Sequence, residues 1–112
     1  MKLDEAKERA RSEVEWHEVA SVFPLLSEEA FDGLVEDIKR EGLREPILTV
    51  EVDGVELVVD GRNRQMACIA AGVPTQYRAV GGDDRDDKQG LAALVWSLNF
   101  SRRHLSPSQL GL

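Results

Sequence analysis

The spacing of apolar residues predicts an alternation of helices and strands along the chain. After Ser27, apolar residues recur with the period of a helix until Gly42, which is a common terminating residue. Ser27 can cap this helix, and Glu28 and Glu29 in the first turn favour the helix dipole. The predicted apolar face consists of Phe31, Leu34, Val35 and Ile38.

The next segment, from Pro46 to Asp60, alternates between apolar and polar residues as a β-hairpin does. Asp53-Gly54 at its centre is typical of a two-residue turn. This turn would pair Val52 with Val55, Val50 with Leu57, Leu48 with Val59, and Glu51 with Glu56. One face is therefore predicted to be apolar throughout, and the glutamate pair is expected on the solvated face.

Other elements follow from the same signals. Arg62 to Ala71 is predicted as a helix ended by Gly72, and Thr75 to Val80 as a strand. Residues 81–87 are predicted as a polar loop, and 14–19 as a short strand. Residues 1–12 are expected to form a solvated helix or a loose arm without chemistry. A further helix is predicted from the apolar stripe of Leu91, Leu94, Val95 and Leu98.

These elements give an α/β (α+β) fold, with a small mixed sheet containing a β-hairpin and three to four flanking helices. We divide the chain into an N-terminal helical arm (1–13), one domain (14–105) and the start of another helix (106–112). That last segment has an N-cap serine, Ser106, followed by Pro107, and Gln109 at the third helical position. Such a start indicates a domain cut from a longer protein.

Composition narrows the class of protein. The 112 residues are 42% hydrophobic, which suits one folded domain and argues against disorder. The net charge of −7 is divided, because residues 1–60 carry −10 and residues 61–112 carry +3. This balance disfavours autonomous DNA binding. No apolar run approaches the roughly 18 residues of a membrane span, and the start of the chain is no signal peptide.

Few side chains suggest a metal site or a covalent nucleophile. Cys68 is the only cysteine, which excludes an internal disulfide and favours a cytoplasmic location. Its apolar neighbours predict a small buried residue. His17 and His104 lack the spacing of metal ligands. The aspartates of residues 83–87 lack the spacing of an EF-hand and are predicted to lie in a solvated loop.

The segment around Gly61 suggests an anion site. A buried strand ends at Asp60, and the next helix carries Arg62 and Arg64 in its first turn. Cations at a helix N-terminus oppose the dipole by about 0.3–1 kcal/mol each. A phosphate held by free backbone amides and guanidiniums would compensate that cost. In the alternative interpretation, Asp60 or nearby glutamates neutralise the arginines on the surface.

A second basic cluster, Arg102 and Arg103, follows Asn99 after the last predicted helix. Cations at a helix C-terminus are favourable without any ligand. The two arginine pairs would nonetheless be able to converge on one polyphosphate. Residues 42–47 join a helix to a strand at what would be the same edge, although a helix cap before an edge-strand proline explains them equally well.

Three motifs occur in order: residues 42–47 (Gly-Leu-Arg-Glu-Pro-Ile), 60–64 (Asp-Gly-Arg-Asn-Arg) and 98–102 (Leu-Asn-Phe-Ser-Arg). Together they resemble the ParB-like N-terminal (ParB-like nuclease) domain of the ParB/sulfiredoxin superfamily over residues 15–109. The resemblance implies a fold that binds a nucleotide, which in partition proteins is CTP acting as a switch for a DNA clamp. The phosphate-binding residues it implies are Gly61, Arg62, Asn63, Arg64, Asn99, Arg102 and Arg103. The base pocket it implies is Gly42, Leu43 and Pro46.

The motifs also depart from the family pattern. Leu98 stands where the family has a glutamate that helps hold metal, so at most weak hydrolysis of CTP or another nucleotide is expected. Any Mg²⁺ would then be held by the phosphates and Asn99. Arg62 falls near the position of the catalytic cysteine of sulfiredoxin, which excludes peroxiredoxin repair.

The leading hypothesis is a CTP-binding regulatory module of a DNA-associated partition, phage or plasmid protein. Its expected partners are a nucleoside triphosphate, DNA through a missing C-terminal domain, and a second copy of the chain, with no membrane and a nucleoid- or plasmid-associated location in the cytoplasm. One alternative is an enzyme of the same superfamily, a nuclease or a small-molecule (serine) kinase, with Asp60 as the catalytic candidate. Another is a DNA-binding or dimerisation module without nucleotide.

Overall fold

The computed structural model describes residues 1–22 and 24–80, with the side chain of Val22 outside that description. The described chain contains three α-helices, one 3₁₀ helix (Glu18–Val22) and three strands. The helices are α1 (Leu3–Glu13), α2 (Glu28–Glu41) and α3 (Arg62–Ala71). The strands are β1 (Ile47–Val52), β2 (Val55–Asp60) and β3 (Tyr77–Ala79). This confirms the small mixed α/β fold, while the predictions for residues 81–112 lie outside the described residues.

Helix α2 forms as its sequence signals predict. The Ser27 hydroxyl accepts a hydrogen bond from the Ala30 amide at 3.2 Å, and Gly42 ends the helix by donating to the Ile38 carbonyl. Gly42 has a φ of 79°, a conformation that favours glycine. The buried residues of α2 are Phe31, Val35 and Ile38.

The hairpin forms with the predicted turn but not entirely with the predicted register. Asp53 and Gly54 both have positive φ, and the pairs Val52–Val55, Val50–Leu57 and Glu51–Glu56 are present. The predicted pair of Leu48 with Val59 is wrong. An irregularity between Leu48 and Thr49 places Asp60 opposite Leu48 instead. This bulge adds one residue to β2 and so changes the face on which the strand's last residues lie.

The apolar face of the hairpin is unevenly buried, since Val55 at its tip is 54% exposed. One further expectation about strands is wrong. Residues 14–19 form no strand beyond a single bridge between Trp16 and Val58. The chain leaves the sheet there because the His17 ring nitrogen accepts the Val19 amide at 2.9 Å, which starts the 3₁₀ helix.

The sheet has the strand order β2-β1-β3, with β1 antiparallel to β2 and parallel to β3. The predicted strand at 75–80 is thus confirmed over its central residues. One group of core residues lies between the helices: Ala6, Ala10, Phe31, Val35, Ile38, Met66, Ala67 and Cys68. A second group lies on the sheet: Val19, Leu48, Val50 and Val59. The burial of Cys68 confirms its prediction as a small core residue.

Helix α1 is less solvated than its charged sequence indicates. Ala6 and Ala10 are fully buried and belong to the core that α3 and α2 share. Alanine allows close approach of two helices, so a narrow stripe of small residues suffices to dock an otherwise polar helix. None of the helices within residues 1–22 and 24–80 has the length and apolar character needed to span a bilayer.

Candidate functional site

The candidate site begins where β2 passes into α3 through Gly61. Gly61 has a φ of 104°, which side chains other than glycine rarely adopt. A Cβ atom at this position would lie 2.7 Å from Nη2 of Arg64. The turn therefore needs glycine both for its backbone and for the guanidinium that packs on it.

Arg64 lies between two carboxylates. Its Nη1 donates to Oε2 of Glu45 at 3.0 Å, and its Nη2 donates to Oδ2 of Asp60 at 3.3 Å. The Arg64 side chain is 17% exposed, that of Asp60 8% and that of Glu45 44%. The alternative interpretation, in which Asp60 or a nearby glutamate neutralises the arginines, therefore applies to Arg64, which contacts both Asp60 and Glu45. Asp60, the candidate catalytic residue, is largely buried in this ion pair.

Arg62 has different surroundings from Arg64. Its guanidinium carbon lies 5.1 Å from the centre of the Trp16 ring, which suits a cation–π contact. Arg11 and Lys7 approach the same ring at 5.4 and 5.9 Å. Burial lowers the pKa of Arg62, because removal from water disfavours the charged form. The first arginine of the motif, at the start of α3, therefore lies with Lys7 and Arg11 of α1 in a basic cluster around Trp16.

Asn63 holds the segment that precedes α2. Its side-chain oxygen accepts the Leu26 amide at 3.0 Å, and its side-chain nitrogen donates to the Pro24 carbonyl at 3.5 Å. Both ends of the amide are thus engaged with backbone. This contact joins the start of α3 to the segment directly before α2. Leu26 in that segment lies 37 residues before Asn63 in sequence.

A cleft of about 260 Å³ opens between α2, the segment that follows it and Arg64. Its lining residues are Leu34, Asp37, Ile38, Gly42, Leu43, Arg44, Glu45 and Arg64. The structure therefore brings Gly42 and Leu43 of the predicted base pocket together with Arg64 of the predicted phosphate site. Pro46 is not among the lining residues and directly precedes β1. At the rim, Arg44 donates to Asp37 at 3.2 Å.

Gln65 is a residue that the sequence analysis missed. It is fully buried, and its Nε2 donates to the carbonyls of Ala10 and Val14 at 2.9 and 3.0 Å. Its Oε1 accepts the indole N–H of Trp16 at 2.7 Å. Gln65 therefore fixes α1 and Trp16, and through Trp16 the surroundings of Arg62. In the sequence, the position of Gln65 directly before the apolar run that begins at Met66 is a sign that this polar side chain is buried.

Three predicted site residues, Asn99, Arg102 and Arg103, lie outside the described residues, so their convergence with Arg64 stays a prediction. Within the described ranges, no three His, Cys, Asp or Glu residues are grouped as a metal site would require. The two carboxylates beside Arg64 are held by its guanidinium. The expected Mg²⁺ ion, held by the phosphates and Asn99, stays a prediction because Asn99 lies outside the described residues.

The chain is similar to the probable chromosome-partitioning protein ParB of Helicobacter pylori (strain ATCC 700392 / 26695). The two are 31% identical over 86 residues, which are 77% of this chain and 29% of that protein. No family model matches the chain. The similarity supports a distant relationship to ParB, in agreement with the motifs around Gly42 and Gly61. The chain spans about 29% of the length of this relative.

Proposed function

We propose that this chain is the nucleotide-binding regulatory module of a protein that partitions chromosomal or plasmid DNA. The ligand is a nucleoside triphosphate, CTP first among the candidates, and it lies in the cleft between α2 and Arg64. The observation that carries the proposal is the joint lining of that cleft by Gly42, Leu43 and Arg64. The similarity to a chromosome-partitioning protein supports the wider role.

The cleft has the chemistry that such a ligand needs. Leu34 and Leu43 are half-buried and offer apolar surface against which a flat base can pack. Arg64 supplies a guanidinium at the wall of the same cleft, where it can hold two phosphate oxygens. Gly61 has no side chain, so the Arg64 guanidinium can pack against the turn that precedes α3.

Thermal unfolding of the chain with CTP, ATP, GTP or UTP, each with and without Mg²⁺, tests the proposal. A ligand present at 100 times its Kd adds about 2.7 kcal/mol to the free energy of unfolding. We expect the largest rise in melting temperature with CTP. Failure of all four nucleotides to raise the melting temperature would contradict nucleotide binding.

An arginine substitution locates the binding. Arg64→Gln removes the positive charge of Arg64 from the cleft and is expected to abolish most of the rise in melting temperature with CTP. Arg9→Gln is the matched control, because Arg9 is exposed and pairs only with Glu5 on α1 among the ion pairs of the described chain. Each variant is compared with its own ligand-free melting temperature. Equal responses of the two variants would place the nucleotide elsewhere on the molecule.

A further inference from the structure

We propose that Glu45 competes internally with the ligand's phosphate for Arg64. This inference rests on the proposed function and concerns the regulation of the same cleft. The Glu45 carboxylate accepts from Nη1 of Arg64 at 3.0 Å. A phosphate that binds this edge of the guanidinium must displace Glu45. The Glu45 carboxylate therefore weakens the affinity for the ligand.

The two carboxylates beside Arg64, those of Asp60 and Glu45, are not equivalent. Asp60 is 8% exposed, lies at the end of β2 and is four residues from Arg64 across the turn at Gly61. It holds the guanidinium in place from the buried side. The Glu45 side chain is 44% exposed, lies outside the helices and strands, and lines the cleft. Glu45 is therefore the partner that can move into water while Asp60 stays.

Charge favours the same assignment of roles. Glu45 places a negative charge beside Arg64 in the lining of the cleft, and this charge repels an incoming anion. When the Glu45 side chain moves out, that repulsion falls, and the phosphate accepts from the Nη1 group that Glu45 has released. An ion pair with an exposed partner is weak, so a ligand with several phosphate oxygens can replace it.

Removal of the charge at position 45 tests this competition. Glu45→Gln keeps the shape of the side chain and an oxygen that can accept from Arg64, so the fold is retained. We expect the Kd for CTP, measured by calorimetry on the whole chain, to fall about three- to fivefold, the scale of a weak ion pair. Glu36→Gln is the matched control, since Glu36 is 72% exposed and pairs with Lys39 on α2. It makes the same change in net charge, and its Kd should change by less than about 1.5-fold because distant exposed charges are screened.

Two further measurements separate competition from a change in cleft shape. Cytidine has no phosphate, so its Kd should be the same for the wild type and Glu45→Gln. The gain for CTP should also disappear when Glu45→Gln is combined with Arg64→Gln. An equal gain for cytidine, a gain that survives without Arg64, or an equal gain in Glu36→Gln would overturn the competition.

The outcomes also distinguish this inference from the function on which it rests. If the wild type binds CTP and Glu45→Gln binds it no more tightly, the competition is wrong and the proposed function stands. If neither protein binds any nucleoside triphosphate, the proposed function itself fails. The ligand-free melting temperatures of Glu45→Gln and Glu36→Gln are expected within a few degrees of the wild type. Variants with Arg64→Gln are expected to melt lower, because the buried Asp60 loses the Arg64 guanidinium, and a cooperative transition shows that they are folded.

Discussion

At the scale of single residues, Gly61 shows how one backbone position shapes the candidate site. Its position between a predicted strand and a predicted helix suggests a glycine that allows close approach of a ligand. The structure adds that the nearest neighbour of a Cβ atom there would be the chain's own Arg64, at 2.7 Å. The glycine therefore determines where the guanidinium lies before any ligand binds.

Replacement of Gly61 by alanine is expected to lower the free energy of unfolding by about 1–3 kcal/mol. The positive φ is strained for alanine, and the new methyl group displaces the Arg64 guanidinium from its carboxylates. Urea unfolding followed by circular dichroism measures the change. Gly33→Ala is the control, because Gly33 lies inside α2 with open space around its Cα. Alanine there should stabilise the protein by roughly 0.4–1 kcal/mol. A Gly61→Ala protein as stable as the wild type would contradict the strain.

The side chains of Arg62 and Asn63 illustrate the limit of motif-based prediction. Both stand in a motif that the resemblance assigns to phosphate, and both contact other parts of the chain in the structure. Arg62 lies over Trp16, and Asn63 bonds the backbone at Pro24 and Leu26. Those partners are far away in sequence, so nothing in the local pattern announces them.

At the scale of elements, local signals placed α2 and α3 well. Ser27 and Gly42 are the residues at which α2 begins and ends, and Gly61 and Gly72 are those of α3. Such helix limits are predictable because capping residues and glycines influence only the few residues next to them. The hairpin turn was likewise predictable from Asp53-Gly54. The bulge beside Leu48 was not, because β1 is buried on both faces at that end and the alternation of apolar and polar residues stops there.

Reversal of one charge on the solvated face of the hairpin tests whether the Glu51–Glu56 pair destabilises the protein. Glu51 and Glu56 are exposed and lie directly opposite each other, as predicted. Glu51→Lys turns a repulsive pair into an attractive one and should raise the free energy of unfolding by about 0.5–1 kcal/mol. Urea titration at low salt measures it. The double variant Glu51→Lys/Glu56→Lys restores repulsion and should lose the gain; retention of the gain would show that Glu56 is not the cause.

At the scale of the whole molecule, buried protonated groups link stability to alkaline pH. Burial raises the pKa of Cys68 from 9.0 to about 11. Burial, followed by the hydrogen bond to Glu13, raises the pKa of Tyr77 from 10.0 to about 12. Both groups are neutral in the fold at pH values where the unfolded chain already ionises. Their contribution is thus complete below about pH 9 and is lost as pH rises through about 11 and 12.

We therefore expect the midpoint of urea unfolding to fall progressively from pH 9 to pH 12. Cys68→Ala removes one of the two groups, so its midpoint should fall less between pH 9 and 11 than that of the wild type. Comparison of the two slopes cancels the general effect of losing positive charge at high pH. A wild-type midpoint that stays constant over this range would contradict the assignment of both groups.

The structure also shows where the acidic and basic residues of the described chain lie. The acidic half includes α2 and the hairpin, where most carboxylates are exposed or paired with neighbours on the same helix. The candidate cleft carries both signs, with Arg44 and Arg64 facing Asp37 and Glu45. For this reason we propose a small polyphosphate, and not a long duplex, as the ligand of the cleft.

The sequence by itself determined the mixed fold class, the limits of α2 and α3, and the hairpin turn; the anion site that it suggests at Gly61 stays a prediction. These depend on signals between residues that are close in the chain. Only the tertiary structure decided that Arg64 lies between Asp60 and Glu45, that Arg62 lies over Trp16, and that Gln65 ties α1 to α3. Those contacts arise when separate elements pack together, so the partner of each charge is set by the packing and not by its neighbours in sequence.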